Sequence, residues 1–184
     1  MKPLININHR FNFQNMEKVC PRVASFHSYP KNSRLMSNKI TASGWAIEYH
    51  SKYAGKLCLK SPGNSIGREK QTVHLYAPGS VYWEDTRDAD CPIQETYLYF
   101  TGAEVCGLSS LVSQEFRFAS FRDPENIVGN LFMTAATNCS KQDEEFFWII
   151  QSQFAGIIHH LLHSKRNNGF DYIISSGPVP ESNS

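Results

Sequence analysis

Cysteine is scarce and unpatterned in this chain of 184 residues. Its five cysteines, Cys20, Cys58, Cys91, Cys106 and Cys139, show no C-x-x-C spacing. That excludes a readable zinc site or disulfide framework and predicts reduced thiols. Glycine is sparse, 11 in all. It builds neither a G-x-x-x-x-G-K-[ST] loop nor a G-x-G-x-x-G turn, so nucleotide binding has no motif to rest on. Charge of one sign is not in surplus. The formal net charge is +1, with lysine and arginine spread along the chain, and no basic stripe offers itself to nucleic acid. No apolar run reaches the length of a membrane span. The opening "MKPLININHRFNFQNMEK" lacks the apolar stretch of a secretion signal, so a cytoplasmic location is expected. No cysteine lies in a motif context, and neither an enzyme nor a cofactor is predicted.

What is present is alternation. Hydrophobic residues are 41% and charged residues 19%, enough for a packed core. "GWAIEYHS" sets Trp45, Ile47 and Tyr49 against Ala46, Glu48 and His50. "QTVHLYAPG" sets Thr72, His74 and Tyr76 against Val73, Leu75 and Ala77. "QETYLYF" sets Glu95, Tyr97 and Tyr99 against Thr96, Leu98 and Phe100. "RVASFHSYP" sets Val23, Ser25 and His27 against Ala24, Phe26 and Ser28 and ends at Pro30. Short strands punctuated by turns predict a sandwich or barrel over 21–102. The Pro78-Gly79 pair marks a turn between two of them, after which Tyr82 and Glu84 share one face. Residues 1–20 are polar and Asn-rich, with Phe11 and Phe13 two apart, and read as an extended arm.

After Gly102 the period becomes helical, and 103–170 reads as a helical region. "AEVCGLSSLV" places Val105, Leu108, Leu111 and Val112 on one stripe. Asp123 and Pro124 read as an N-cap and first helical position, and Ser140 with Asp143 opens a third and longest helix. In that helix Phe147, Ile150, Phe154, Ile157 and Leu161 step by three and four, a seam of coiled-coil type. Gly156 lies beside it and would permit close approach. The seam suits the same helix of a second copy; burial against the barrel is the competing placement. The segment 171–184 has the composition of a linker-like tail.

"SGWAIEYHSKYAGKLCLK", a breaker, and then "VHLYAPGSVYWEDTRDADCPIQETYLYFTG" together resemble the amino-terminal effector-binding domain of AraC-type transcriptional regulators. The shared order is a strand pair, a Pro-Gly turn, a variable loop, and a strand ending in an aromatic and F-x-G, here Phe100-Thr101-Gly102. Helices with a D-P-x start, here Asp123-Pro124-Glu125, follow. The resemblance covers residues 20 to 170. It implies an α+β fold: a cupin-like jelly-roll β-barrel followed by C-terminal helices, one of them a long dimerisation helix. It also implies a homodimer that reaches DNA only through a C-terminal domain of two helix-turn-helix motifs. No such pattern follows Gly169, so the chain is expected to be a sensor half or a stand-alone relative.

The resemblance further implies effector-contacting positions near Glu84, Glu95 and Tyr97, with Tyr82 on the same face as Glu84 and a basic position near Lys52. The arm with Phe11 and Phe13 would fold over the mouth. Two carboxylates near one lysine favour a sugar, polyol or cationic effector over an anion. Metal-binding cupins supply two histidines one residue apart, a nearby glutamate and a distant histidine. Here no H-x-H occurs and His50 and His74 stand alone, so no metal is predicted. His159 and His163, four apart on the long helix, lack a third ligand at a recognisable spacing and read as solvent-facing. The competing functions are a stand-alone cupin enzyme, a small-molecule-binding protein, and a thiol-based sensor.

Overall fold

Alternating residues on the central strands build a sheet that is buried on both sides. The computed structural model describes residues 7–10, 21–61, 63–138, 144–167 and 172–173. Its strands are β1 (Ile7–Arg10), β2 (Arg22–Lys31), β3 (Ile40–Thr41), β4 (Trp45–His50), β5 (Lys56–Leu59), β6 (Ser65–Gly67), β7 (Thr72–Tyr76), β8 (Val81–Asp85), β9 (Ile93–Thr101), β10 (Phe118–Arg122) and β11 (Tyr172–Ile173). The helices are α1 (Ala103–Cys106), α2 (Ile127–Asn138) and α3 (Glu144–Asn167). A seven-stranded sheet runs β1-β2-β9-β4-β7-β10-β11, and a four-stranded sheet runs β3-β8-β5-β6. Every ladder is antiparallel. Among the described residues no ladder joins the two sheets, so the closure expected of a barrel is not made by hydrogen bonds.

The two faces of the large sheet do different work. Trp45, Ile47, Tyr49, Val73, Leu75, Leu98 and Phe100 point to one side and form the main apolar core with Val128, Phe132 and the inner face of α3. Glu48, His50, Thr72, His74 and Glu95 point to the other side, and all are buried. A smaller apolar cluster, with Ala46, Leu57, Leu59, Tyr76 and Phe118, packs between the sheets.

Four local readings change. In β2 the register shifts between Val23 and Ser25, so Val23 pairs with Phe100 and Phe26 with Leu98. This bulge puts Val23 and Phe26 on the same core face, where strict alternation separates them. The strand also continues through Pro30 to Lys31, past the stretch of β2 that β1 covers, as a strand proline requires. The expected helix over "AEVCGLSSLV" breaks at Gly107, which adopts φ 82°. Beyond it Leu108–Leu111 forms a separate tight turn with both leucines buried. Asp123 does cap α2, but from upstream of Pro124: its carboxylate accepts the N–H groups of Ile127 and Gly129, each at 2.8 Å. Pro124 therefore lies in the approach turn. The Ser140 and Asp143 start signal lies outside the described residues.

The regions read as arm, helices and tail each contain a strand. β1 pairs with β2 across Ile7↔Ser28 to Arg10↔Ser25. β10 pairs with β7, and β11 pairs with β10. The Pro-Gly turn is as read: Gly79 has φ 84° and the Ser80 N–H donates to the Ala77 carbonyl at 3.0 Å. Glycine alone takes that conformation without strain.

The seam on α3 is spent on the chain's own core. Ile150, Phe154, Ile157 and Leu161 are buried, and the Phe154 ring lies 4.9 Å from that of Phe100. Phe147 is half-buried. Gly156 admits Leu131 of α2, whose side chain a Cβ there would meet at 3.2 Å, rather than a partner helix. The stripe is apolar because it covers the sheet. Phe154→Ala should therefore cost about 3–5 kcal/mol of stability in urea unfolding. A loss below about 1 kcal/mol would show that α3 is not part of the core.

Candidate ligand-binding cavity

Strand alternation also builds the space between the sheets. A cavity of about 250 Å³ opens there. Five tyrosines line it: Tyr29 from β2, Tyr76 from β7, Tyr82 from β8, and Tyr97 and Tyr99 from β9. Three carboxylates, Glu48, Glu84 and Glu95, and one ammonium, Lys31, complete the polar wall, with Ile40 and Ala46 as apolar floor.

The carboxylates are held by two cations. Arg68, which follows β6, is fully buried. Its Nη2 lies 2.5 Å from Glu48 Oε1 and 3.9 Å from Glu95 Oε1, and its Nη1 lies 3.8 Å from Glu84 Oε2. Nη1 also donates to the Ala54 carbonyl at 3.4 Å. Lys31 Nζ bridges Glu84 Oε2 at 2.9 Å and Glu95 Oε1 at 2.5 Å. Tyr29 donates its hydroxyl to Glu95 Oε2 at 2.7 Å, and Tyr76 donates to Glu48 Oε2 at 2.8 Å.

Burial alone would push the Glu48 carboxyl up, but Arg68 and the nearby imidazoles hold it well below the usual carboxylate range. Burial likewise disfavours the Arg68 charge, and Glu48, Glu84 and Glu95 more than offset it. The phenols of Tyr29, Tyr76 and Tyr82 are pushed up, chiefly by burial, and remain neutral donors. Three carboxylates facing two cations leave one negative charge in excess.

Beside this wall lies a second polar group. Glu48 is directly paired with His74 across the β4–β7 ladder, and His50 stands two residues along β4 on the same face. His50 Nε2 lies 3.3 Å from His74 Nδ1 and 3.4 Å from Glu48 Oε2, and His74 Nδ1 lies 3.9 Å from that same oxygen. Both imidazoles are buried. Burial, with His50 beside it, pushes His74 well down, so it is neutral. Its Nε2 has no hydrogen-bond partner among the described residues. The trio is an E-x-H pair on one strand plus a histidine 24 residues on from His50. Glu48, Glu84 and Glu95 form a second trio whose oxygens approach one another within 4.8 Å.

Of the positions singled out in the sequence, Tyr82, Glu84, Glu95 and Tyr97 meet around the one cavity. Lys52 does not: it is exposed, with Nζ 3.5 Å from the Pro92 carbonyl, and Lys31 takes the basic position instead. Phe11 and Phe13 lie outside the described residues. Ending the strand at Pro30 hides Lys31, and reading "SPGNSIG" as a breaker draws the eye away from Arg68, the residue after it. That same stretch carries a G-x-S-x-G match, Gly63 to Gly67; it spans the turn into β6, with no helix behind it to make a nucleophile elbow. Cys58 is buried and Cys91 half-buried, both as free thiols. His159 and His163 stack on α3 with ring centroids 5.7 Å apart.

No protein-family model matches the sequence, and no curated protein matches it. Among solved structures, apo ToxT from Vibrio cholerae strain SCE256, a single-substitution variant, superposes with a TM-score of 0.54 at 16% identity. The match covers 78% of this chain and 56% of that one. The chain shares the ToxT fold. At 16% identity the likeness is one of fold alone, and it agrees with the fold that the motif resemblance implies. Unsaturated fatty acid-bound wild-type ToxT from the same strain gives 0.47 at 13% identity, covering 84% of this chain and 58% of that one. A cupin domain from Bordetella pertussis tohama i gives 0.32 at 12%, covering 55% and 99%. The chain thus spans just over half the length of the ToxT chains it matches. Among the described residues no helix is long and apolar enough to cross a membrane.

Breaking the buried ion network by removing one partner leaves charges without compensation. Arg68→Met should cost about 3–5 kcal/mol at neutral pH, and Lys31→Met, nearer the mouth, clearly less. Urea unfolding of the two variants checks the order. Equal losses would show that Arg68 is not the anchor.

Proposed function

We propose that this chain is the ligand-sensing domain of an AraC-type transcriptional regulator, binding a small neutral or cationic effector such as a sugar or polyol. The observation that supports this best is the cavity. In a fold shared with ToxT, it is ringed by tyrosine hydroxyls and carboxylates and carries one excess negative charge. Hydroxyl-rich ligands match convergent donors and acceptors, and an anion would meet the surplus charge. Its volume suits a molecule of monosaccharide size. Ligand binding would shift the balance between two states of the regulator, which a DNA-binding domain reads out.

A library of sugars, polyols, amines and carboxylic acids of similar size, screened by thermal shift, tests the ligand class. Neutral or cationic members should raise the melting temperature, and Glu95→Gln should weaken their binding about tenfold or more. Stabilisation by carboxylic acids alone would overturn the reading.

Pairing of two copies belongs to the same proposal, but it falls to the outward face of α3. The seam is buried, whereas Trp148 is 68% exposed, the largest exposure of any large hydrophobic among the described residues. Trp148→Glu should turn a dimer into a stable monomer in sedimentation velocity. A dimer that survives the change would place the interface elsewhere.

A further inference from the structure

We propose that Glu48, His50 and His74 form a binding site for one divalent transition-metal ion of the zinc or cobalt class, on the large sheet beside the cavity. The geometry argues for it first. A four-coordinate ion takes imidazole nitrogen at about 2.0–2.1 Å and carboxylate oxygen at about 2.0–2.2 Å, which places neighbouring donor atoms roughly 3.3–3.5 Å apart. His50 Nε2 stands 3.3 Å from His74 Nδ1 and 3.4 Å from Glu48 Oε2. The third edge, Glu48 Oε2 to His74 Nδ1, is 3.9 Å. A shift of about half an ångström in the carboxylate closes it to the same range.

The surroundings argue for it independently. Arg68 engages Glu48 through Oε1; Oε2, on the side of the imidazoles, accepts the Tyr76 hydroxyl at 2.8 Å and keeps its second lone pair for a metal. A metal-bound histidine is normally oriented by a hydrogen bond from its other ring nitrogen. His74 Nε2 is buried and unpartnered, and so is the Ser120 hydroxyl. Ser120 is directly paired with His74 across the β7–β10 ladder, so both side chains stand on one face. A turn of the Ser120 hydroxyl toward Nε2 would fix the proton there and leave the Nδ1 lone pair facing His50 and Glu48. One movement thus satisfies two orphaned atoms and sets the tautomer a metal needs. Glu84, Glu95 and Lys31 sit around Arg68 as well, so the negative charge of Glu48 remains to offset a cation placed beside it. The site stands whether or not the cavity binds an effector, and its test reads metal alone.

The experiment uses the full chain carrying His159→Gln and His163→Gln, which removes the surface histidine pair as a rival binder. Cobalt(II) titration followed by visible absorption and proton NMR should show one equivalent bound. Two hyperfine-shifted, exchangeable imidazole N–H resonances should appear. His50→Gln in this background should remove one resonance and weaken binding at least tenfold. Ser120→Ala should weaken binding about tenfold, as loss of an outer hydrogen bond to a ligand does. No retained cobalt, or cobalt retained without shifted imidazole resonances, overturns the proposal without recourse to any core variant. So does affinity unchanged in a folded His50→Gln chain.

Discussion

The buried guanidinium of Arg68 is the contact on which the interior between the sheets depends. Three carboxylates cannot share a space of this size unless something offsets their mutual repulsion. Lys31 reaches two of them from the rim; Arg68 reaches all three from within. Its planar fork suits that task as a lysine ammonium would not, because separate nitrogens face separate oxygens. The tyrosine hydroxyls then fill lone pairs that the cations leave, and the wall becomes a connected network rather than a set of isolated charges.

Such a network survives inside a domain only if the apolar core lies elsewhere. Here it does: the helices bury their stripes against the far face of the large sheet, and the polar residues are left to the space between the sheets. β4 shows the division most sharply, with every residue buried yet Ile47 facing α2 and α3 and Glu48 facing Arg68. Polar residues between the sheets give up packing energy that an apolar sandwich would gain. Their retention is in keeping with a binding role for that space.

How much of this is legible in the sequence follows from what each pattern encodes. β4, β7 and β9 alternate apolar with polar residues, and alternation alone separates their two faces. It also groups Tyr82 with Glu84 and Glu95 with Tyr97. β10 leaves no such signal, because Phe118, Ala119, Ser120 and Phe121 are buried on both faces and their alternation is flat. The bulge in β2 breaks the period that would place Val23. Arg68 sits in a stretch of turn-forming residues, where a buried role leaves no local mark. The stripe on α3 is plain, but periodicity says that a face is covered and not by what. The Glu48, His50 and His74 trio needs the β4–β7 register, a long-range fact that spacing within one strand does not contain.

The pairing of the large sheet has a mechanical consequence. Asn8, His27, Tyr97, Glu48, His74, Ser120 and Ile173 are each directly paired with the next, one residue from every strand in turn. Among the described residues the row begins on the first strand, ends on the last, and passes through the cavity wall at its centre. In a ladder, a slip by one residue turns every side chain of a strand to the opposite face. The register at Glu48 is thus tied, pair by pair, to β1 on one side and to β11 on the other.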